Sequence, residues 1–583
     1  MEKLRNVSCD QTRKGNGFSE RLINELTGIT LTHLGGVGDD DVSLTGSCTR
    51  VRIKRKGEED TNILIDLGSF VGGPNSHETQ KRNKSFPFSP SDIDAVVVTH
   101  GHLDHIGKIP MLVNQEGQPF RGTIYATDVT STLMRISLND SVEIMEDEFS
   151  FQQDRADKLK KHLRSQLKEL KVYERALNPA RKSAKKNGID RKAQEIRQTL
   201  TNTNEIKEKI EQIRAMLSDY GIEREADIEK IFAGRVEKAR EKKLFDYADV
   251  EKALSLLRKT EFYETKEIAK GVYLTFFKAA HILGSAQVLL QIDKGDGSTY
   301  NMGFSGDVGR FFDPNELGVP DVIDKPLDFF QVESTYGDRI HKDKEKEISE
   351  MTNEINKITK RGGKILIPSF MIQRSQDMLS LLVKLKRYGK IPSNIQVYFD
   401  SENVEHLNNV YSVNNPEGYF DLKDPKIEKV SNHTKENEFL SCSGPAIMVC
   451  PSGMMSGGSV MKYLEYIINN PKHALFFVGF QAEGTLGRRI QEEDIVNIEI
   501  PRIGTVSKRC TIKSFSSFSS HGDVDDIMYL LNGMGFRPNG EVMVNHGESG
   551  GSQKQLVDTI NKSFKDNGPT ASPAIIGETK KLY

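Results

Sequence analysis

A six-residue segment, His100-Gly-His102-Leu-Asp104-His105, places four potential metal ligands next to one another. It follows the apolar run Ala95-Val-Val-Val-Thr99, which is typical of a buried strand. The ligands would therefore lie on the turn that leaves the carboxyl end of a strand, where open α/β sheets keep their chemistry. This arrangement predicts an α/β protein with a metal-dependent activity.

The number of ligands in this segment exceeds what one ion needs. A catalytic Zn²⁺ takes three protein ligands and keeps one position open. His100 and His102 can bind one ion from the same side of the turn, while Asp104 and His105 can bind a second one. We therefore expect two Zn²⁺ per chain, with further ligands from later in the sequence. Mn²⁺ is the alternative for a site of nitrogen and oxygen ligands.

Composition and charge favour an intracellular enzyme built from several domains. The chain has 583 residues, a formal net charge of -2 and five Cys without a CxxC pair, which argues for reduced thiols and against a disulfide framework. No apolar stretch reaches the length of a transmembrane helix, and the first residues lack a signal-peptide core. We expect a cytoplasmic protein that contacts no membrane.

One segment, residues 154–243, differs in charge from the rest of the chain. It holds 25 Lys and Arg against 16 Asp and Glu, a net charge of +9, so the other residues together carry -11. Its apolar residues follow helical spacing in two runs, first Leu159, Leu163, Leu167, Leu170 and Leu177, then Ile206, Ile210, Ile213 and Leu217. Asn178-Pro179 and Asn187-Gly188 provide breaks between the runs. The pattern predicts an antiparallel, coiled-coil-like helical hairpin, with a further short helix from about residue 223 to residue 243.

Two roles remain open for this basic arm. A surface rich in Lys and Arg suits contact with a phosphate backbone, which needs no base-reading geometry. A charged coiled coil can equally pack on a second copy of the chain, which would give a homodimer. We therefore predict either nucleic-acid contact or self-association for residues 154–243.

Three residues elsewhere could belong to the metal site but mean little alone. Asp66 ends a predicted strand before Leu-Gly-Ser, where an acid can orient a neighbouring His or simply cap a turn. His281 lies between two apolar runs, and a lone His in such a place is more often structural than a ligand. Asp307 ends another predicted strand beside Gly306. These residues gain weight only together with His100 to His105.

Taken in order, these residues resemble a known set of motifs. Asp66, the segment from His100 to His105, His281 and Asp307 are similar to the four motifs of the metallo-β-lactamase fold, an αββα sandwich with a metal site along one edge of its sheets. Later segments resemble the β-CASP branch, whose members are nucleases: Glu333-Ser-Thr-Tyr-Gly-Asp-Arg339 resembles its motif A, His521 its motif B and His546 its motif C. The resemblance implies this sandwich with an inserted α/β domain, and the basic arm is a further insertion.

Within this branch, two features favour RNA as the substrate. DNA-acting relatives typically have Val at motif C, where this chain has His546. The segment His281-Ile-Leu-Gly-Ser-Ala286 resembles the pre-mRNA 3′-end-processing endonuclease and its prokaryotic relatives. A cleft between two domains would suit a single-stranded polymer. The resemblance therefore implies single-stranded RNA.

The resemblance also implies a role for each site residue. His100, His102 and His281 would bind one zinc ion, Asp104, His105 and His546 would bind the other, and Asp307 would bridge both. A hydroxide between the ions would attack the phosphorus, and His521, oriented by Glu333, would protonate the departing sugar oxygen. Asp66 would support the ligands. The products would be a 5′-phosphate and a 3′-hydroxyl.

Weaker signals suggest contacts to substrate phosphates. Arg374, Gly484 and Arg488 resemble β-CASP landmarks and would let guanidinium groups and backbone N-H groups approach phosphates. Plain turns and surface charges explain such residues as well. No specific role is assigned to them.

The same motifs predict the order of domains. An N-terminal tail would cover residues 1–27, and the first part of the metallo-β-lactamase domain residues 28–337, interrupted by the arm at 154–243. The β-CASP domain would cover residues 338–501, and the chain would return to the first domain over residues 502–583.

Three functional hypotheses follow from the sequence. The first is a di-zinc ribonuclease that cuts RNA internally, with 5′ exonucleolytic action left open. The second is a metal-dependent hydrolase of a small thioester or lactam, against which the size of the β-CASP-like insertion argues. The third is a protein that binds RNA or a partner through the basic arm, against which the complete ligand set argues.

Overall fold

Strands from both ends of the chain form the first sheet. In the computed structural model these strands are β1 (Leu26–Gly35), β2 (Cys48–Arg55), β3 (Thr61–Ile65), β4 (Ala95–Val97), β5 (Thr123–Ala126), β6 (Leu257–Lys259) and β22 (Thr579–Lys581). Their order is β22-β1-β2-β3-β4-β5-β6, and β3 to β6 run parallel to one another. The last strand of the chain, β22, therefore pairs with the outer edge of the first strand, β1.

The structure describes residues 23–38, 45–72, 76–178, 188–199, 203–240, 243–400, 402–414, 427–430, 433–442, 444–455, 457–492, 494–500, 503–565 and 568–583. The predicted tail up to residue 22 lies outside these residues, as does the predicted break over residues 179–187. Within the described ranges, no helix is long and apolar enough to cross a lipid bilayer.

A second sheet packs face to face on the first. Its strands are β7 (Thr265–Ala269), β8 (Val272–Lys278), β9 (Ala286–Asp293), β10 (Thr299–Phe304), β11 (Leu327–Glu333), β20 (Phe536–Asn545) and β21 (Thr570–Pro573), in the order β21-β20-β11-β10-β9-β8-β7. Ile29, Val51 and Ile63 of the first sheet share one buried core with Phe276 and Phe329 of the second. Burial of these apolar faces holds the two sheets together.

The third sheet belongs to the inserted domain. It contains β12 (Lys364–Pro368), β13 (Gln396–Asp400), β14 (Ile427–Val430), β15 (Ala446–Cys450), β16 (Ala474–Phe477) and β19 (Thr511–Ser514), all parallel, in the order β14-β13-β15-β12-β16-β19. A two-stranded ribbon, β17 (Asn497–Ile500) and β18 (Gly504–Ser507), adjoins it in sequence. Both faces of this sheet are covered by apolar clusters, as expected for a parallel sheet.

Helices either cover the outer faces of the sheets or belong to the basic arm. They are α1 (Ser76–Lys84), α2 (Leu103–Ile106), α3 (Asp128–Leu177), α4 (Gly188–Thr199), α5 (Thr203–Asp219), α6 (Glu225–Arg240), α7 (Tyr247–Ser255), α8 (Lys344–Lys360), α9 (Arg374–Arg387), α10 (Glu402–Asn414), α11 (His433–Ser441), α12 (Val460–Ile468), α13 (Leu486–Gln491), α14 (Val524–Gly533) and α15 (Ser552–Phe564). The start of α3 and α7 pack on the first sheet, and α14 and α15 pack on the second. The αββα sandwich with an inserted α/β domain confirms the predicted fold class.

The basic arm differs from its predicted hairpin. Its first helix, α3, begins at Asp128 rather than near residue 154, because Thr127 caps the amino terminus by accepting a hydrogen bond from the backbone N-H of Thr130. The first turns of α3 belong to the sandwich core through Leu133, Met134 and Leu138, and its far end carries α4, α5 and α6. The arm is therefore a small bundle built on one 50-residue helix.

The predicted return from the inserted domain at residue 501 comes too early. Strand β19 lies after this position, yet it pairs with β16 as the edge of the inserted domain's sheet. The chain rejoins the sandwich only after Ser514. The segment that follows carries His521, so the inserted sheet directly positions this part of the site.

Candidate metal centre

Strand ends bring the predicted ligands to one edge of the sandwich. His100 follows β4, and Asp104 and His105 lie in the short helix α2. The remaining side chains follow other strands: His281 follows β8, Asp307 follows β10, Glu333 ends β11 and His546 follows β20. Because β10, β11 and β20 run parallel in the second sheet, their carboxyl ends lie together. The contacts of Asp307 with His100 and His105 show that the carboxyl end of β4 in the first sheet meets them at this edge.

Four of the residues form a first group of potential ligands. His100, His102, His281 and Asp307 each offer one atom, and these atoms lie within 4.8 Å of one another. Nε2 of His100 lies 3.1 Å from Nδ1 of His102, and Nε2 of His281 lies 3.4 Å from the same atom. The spacing suits convergence of the imidazoles on one ion.

A second group lies beside the first. Asp104, His105 and His546 offer ligand atoms within 4.8 Å of one another, and Nε2 of His546 is 3.6 Å from Oδ2 of Asp104. Oδ1 of Asp307 faces this group, at 3.3 Å from Nε2 of His105 and 3.5 Å from Nδ1 of His546. Oδ2 of Asp307 instead lies 3.4 Å from Nε2 of His100. One carboxylate therefore contacts both groups, each through a different oxygen.

Unsatisfied atoms in the site fit divalent cations. Nε2 of His105 and His546 and Oδ1 of Asp307 are buried and have no hydrogen-bond partner among the residues that the structure describes. Buried polar atoms without partners are rare in native proteins and require an explanation. Burial lowers the pKa of His102 to about 3, which keeps its imidazole in the neutral form that binds metals. The donor set therefore fits two metal ions.

Asp66 contacts the second group through His105. Its carboxylate accepts hydrogen bonds from the backbone N-H and the hydroxyl of Thr99, both at 2.8 Å, and lies 2.8 Å from Nδ1 of His105. This contact leaves Nε2 of His105 to face Asp307. The following Gly68 packs so tightly that an added Cβ would lie 1.6 Å from the carbonyl oxygen of Asp104. The turn after β3 thus fixes the position of the ligand segment.

His521 and Glu333 form a hydrogen-bonded pair at the same edge. Backbone N-H groups of Val308 and Thr335 donate to the Glu333 carboxylate at 2.7 and 3.3 Å, and Nδ1 of His521 lies 2.9 Å from both of its oxygens. Burial lowers the pKa of His521, but the negative charges of Glu333 and Asp307 outweigh this effect and raise the pKa to about 8. These charges favour the protonated imidazole, which is the form that can act as a proton donor.

A cleft of about 1040 Å³ opens between the sandwich and the inserted domain. His102, Asp307 and His521 line one side of it, and Phe370 and Met454 of the inserted domain line the other. Several α3 residues, Asp140, Glu143, Ile144 and Asp147, complete the wall. The metal ligands are therefore accessible from a cleft shared by both domains.

The residues predicted to contact phosphate differ in position. Arg374 lines the cleft, but its guanidinium already donates to Asp377 at 3.3 Å and to the Ser520 hydroxyl at 3.1 Å. Gly484 occupies a turn before α13 with φ +75°, and Arg488 is exposed on that helix. Among the described residues that line the cleft, neither Gly484 nor Arg488 is included. The structure therefore does not bring these two residues to the metal centre.

Sequence reasoning assigned no role to two threonines that contact ligands. The hydroxyl of Thr99 lies 3.0 Å from Nδ1 of His100, and the hydroxyl of Thr335 lies 3.1 Å from Nδ1 of His546. Each hydroxyl can orient the imidazole that it contacts. Thr99 is next to His100, and Thr335 lies within the motif A segment, two residues after Glu333. Their closeness to motif residues in the sequence was the only available signal. Closeness in sequence does not show whether a side chain contacts a ligand.

Three family models match successive parts of the chain. Residues 44–121 match the metallo-beta-lactamase superfamily, residues 375–490 the Beta-Casp domain, and residues 505–562 the Zn-dependent metallo-hydrolase RNA specificity domain. These matches contain the ligand segment, most of the inserted domain and the segments that carry His521 and His546. None of them includes the arm.

Curated relatives extend the match along most of the chain. Ribonuclease TTHA0252 of Thermus thermophilus is 27% identical over 533 residues, which cover 88% of this chain and 93% of the relative. Transcription termination factor FttA of Methanocaldococcus jannaschii is 26% identical, covering 87% of this chain and 66% of the relative. An RNase J-like protein of the same archaeon is 30% identical over 304 residues, 50% of this chain and 67% of the relative. The chain therefore belongs to the β-CASP family of the metallo-β-lactamase superfamily and is a metal-dependent hydrolase.

Proposed function

We propose that this protein is a di-zinc ribonuclease that hydrolyses internal phosphodiester bonds of single-stranded RNA. The observation that carries the proposal is the His521–Glu333 pair, whose free imidazole nitrogen, Nε2, lies 3.9 Å from Oδ2 of Asp307. A proton donor held beside two groups of metal ligands is the arrangement that cleavage of a phosphodiester with an unactivated sugar as leaving group requires.

In the proposed reaction, the zinc ions, His521 and Glu333 have different roles. Bound zinc ions would supply Lewis-acid chemistry, by acidifying the attacking water and offsetting charge on the phosphoryl oxygens. His521 would donate its proton from Nε2 to the departing 3′ oxygen, and Glu333 would hold the imidazole in the protonated, correctly turned form. Water attack at phosphorus with departure of the 3′ oxygen leaves a 5′-phosphate and a 3′-hydroxyl.

The RNA substrate is supported by several independent features. The matched RNA specificity domain covers the segments of His521 and His546, and a relative named as a ribonuclease aligns along 88% of the chain. The cleft lies between two domains and reaches the upper end of the volume range of small-molecule pockets, which suits part of a polymer. Zinc is favoured because five of the six residues predicted to bind one ion each are His.

Cleavage of a circular RNA tests the proposal, because a circle has no end at which an exonuclease could start. We expect purified protein loaded with zinc to linearise the circle and leave a 5′-phosphate and a 3′-hydroxyl. His102→Ala, which removes a ligand of the first group, should abolish the reaction. An intact circle together with 5′-terminal degradation of linear RNA would replace the endonuclease by a 5′ exonuclease.

The alternative hypothesis, a hydrolase of a small thioester or lactam, can be tested with the same purified protein. Turnover of a thioester or lactam that single-stranded RNA does not inhibit, with RNA left intact, would assign the centre to small substrates. RNA binding without any hydrolysis, equal in the parent protein and in His102→Ala, would instead favour a binding protein.

A further inference from the structure

The helix α3 connects the cleft to the arm without interruption. It spans 50 residues, about 75 Å at 1.5 Å per residue. Near its start, Leu133 packs in the cluster that joins the sandwich to α10 of the inserted domain. Asp140, Glu143 and Asp147 then line the cleft, and Leu163 and Leu167 lie in the core of the arm. The arm therefore continues the helix that forms one cleft wall.

The helical period places three lysines on the cleft-facing side of α3. At 100° per residue, Lys158, Lys161 and Lys168 fall in the same sector of about 80° as Asp140, Glu143 and Asp147. The buried apolar residues Leu163, Leu167 and Leu170 fall on the opposite side, against α5 and α6. The three lysines, named here the lysine row, thus extend the cleft-facing side beyond the cleft, over about 15 Å.

The charge of α3 changes sign where the helix leaves the cleft. Residues 140–154 contain six Asp and Glu and no Lys or Arg, whereas residues 155–171 contain seven Lys and Arg and two Asp and Glu. A phosphate backbone would be repelled by the first stretch and attracted by the second. An RNA strand would therefore contact α3 beyond the cleft and not along its wall.

The lysine row is free to bind an anion. All three lysines are exposed, and within the described ranges none of them forms an ion pair. Their neighbours Lys160 and Arg164 are instead held by Glu229 of α6. The arm thus uses some of its basic residues to bind its own helices and leaves this row to solvent.

The surface of the arm argues against self-association through apolar contact. Its large apolar side chains are buried in its own bundle, with Ile206, Ile213 and Phe232 between 3 and 6% exposed. Among the arm side chains that the structure describes, Tyr220 is the one large hydrophobic residue classed as exposed, at 38%. A stable homodimer usually buries a substantial apolar patch. The charge of the arm is its more distinctive surface property.

We infer that the lysine row binds the phosphate backbone of the RNA strand where it extends beyond the cleft. This inference rests on the proposed ribonuclease function and adds a binding surface outside the cleft. Phosphate contacts by lysine carry no base preference, so the surface would act on RNA length and not on sequence. A short RNA that fills only the cleft would not reach it.

The test compares RNA lengths in the zinc-loaded, full-length protein. The variant Lys158→Gln/Lys161→Gln/Lys168→Gln removes the row, and Lys325→Gln/Lys360→Gln/Lys562→Gln removes three exposed lysines elsewhere as a matched control. Steady-state cleavage is measured for unstructured RNAs of about 6 and about 40 nucleotides over a range of KCl concentrations. Sedimentation of each protein gives its mass in solution.

We expect the row variant to raise KM for the long RNA by roughly tenfold and to leave kcat unchanged. The slope of log KM against log salt should fall by about 2, since each phosphate contact to a single strand contributes roughly 0.7. The short RNA and the control variant should behave as the parent protein does.

Three results would overturn the inference. They are an unchanged KM for the long RNA, an equal change for both lengths, and a fall in mass from dimer to monomer in the row variant with an unchanged KM. The last result would assign the arm to self-association. Cleavage of the short RNA by the parent protein would still support the ribonuclease in all three cases, whereas a lack of cleavage at both lengths would reject the proposed function itself.

Discussion

Nδ1 of His521 lies 2.9 Å from both carboxylate oxygens of Glu333, although the two residues are 188 positions apart in the chain. Glu333 is buried, at 1% exposure, and two backbone N-H groups hold its carboxylate in place. A carboxylate in this position keeps the proton on Nδ1, so that Nε2 is the nitrogen directed at the cleft. Asp307, Glu333 and His521 also offer potential ligand atoms within 4.8 Å of one another. The hydrogen bond between Glu333 and His521 favours the role of a proton donor over that of metal ligands.

Replacing His521 by Ala should slow RNA cleavage by about 10²- to 10⁴-fold in kcat, because the 3′ oxygen would leave without a proton. A substrate whose 3′ bridging oxygen is replaced by sulfur should largely escape this loss, since a thiolate leaves without protonation. Single-turnover rates on the two substrates measure the difference. Equal losses on oxygen and sulfur substrates would mean that His521 does not act as the acid.

Asp66→Asn should weaken metal binding in the second group by about 10- to 100-fold, since an amide cannot replace the carboxylate that accepts from Thr99 and contacts His105. Metal analysis after dialysis should show fewer than two zinc ions per chain. Asp324→Asn, at an exposed acid, serves as the control and should retain full occupancy. Full occupancy in both variants would show that Asp66 does not support the ligand.

The strand ends before His100 and Asp307 could be predicted from the sequence because local patterns reveal them, whereas the place of His281 and His546 among the predicted ligands came from the family resemblance. Apolar runs before His100 and Asp307 marked strands, and the ligands follow these strands directly. The bridging contact of Asp307 could not be read in this way, because the direction of each carboxylate oxygen depends on the packing of two sheets. The family resemblance supplied that role.

The arm and the inserted domain show where local patterns fail. The jump in charge near residue 154 suggested a helix start, but helix boundaries follow capping and core packing, and both Thr127 and Leu133 lie well before it. Strand β19 looks like any short strand, and its membership in the inserted sheet is a pairing with β16 that no local pattern contains. The functional consequence is that the His521 segment begins at the inserted domain.

Asp140→Asn should stabilise the protein at neutral pH by on the order of 1–2 kcal/mol. Burial raises the pKa of Asp140 to about 6, against the opposing effect of the Asn403 amide at 2.7 Å and with a further contribution from Glu143. The folded state therefore keeps a proton that the unfolded state releases above about pH 4, and stability falls as the pH rises to about 6. Urea unfolding at pH 4.0 and 7.5 checks this.

The gain from Asp140→Asn should be close to zero at the acidic pH and full at the neutral pH. Asparagine can accept the same hydrogen bond from Asn403, so packing between α3 and α10 should be preserved. Asp147→Asn, at an exposed acid one or two turns further along α3, is the control and should change stability little at either pH. A gain that does not depend on pH would exclude the ionised carboxylate as its source.

Leu163→Ala should destabilise the arm by about 2–5 kcal/mol, because Leu163 is fully buried among the helices of the arm. Hydrogen exchange of residues 203–240 should accelerate, while exchange in the sandwich and cleavage of a short RNA should remain unchanged. Lys161→Ala, on the exposed side of the same helix, should leave exchange as it is. Faster exchange throughout the sandwich would show that the arm and the body unfold together.

The second group of ligands joins residues from distant parts of the chain, with His546 about 440 residues after His105. At roughly 5 to 20 residues per second, a ribosome needs about 20 to 90 seconds to add this stretch. During that interval the nascent chain already holds His100 to His105 but lacks the imidazole that completes the second group. A nuclease that acts through both groups therefore cannot cut the messenger from which it is being translated before the ribosome has added His546.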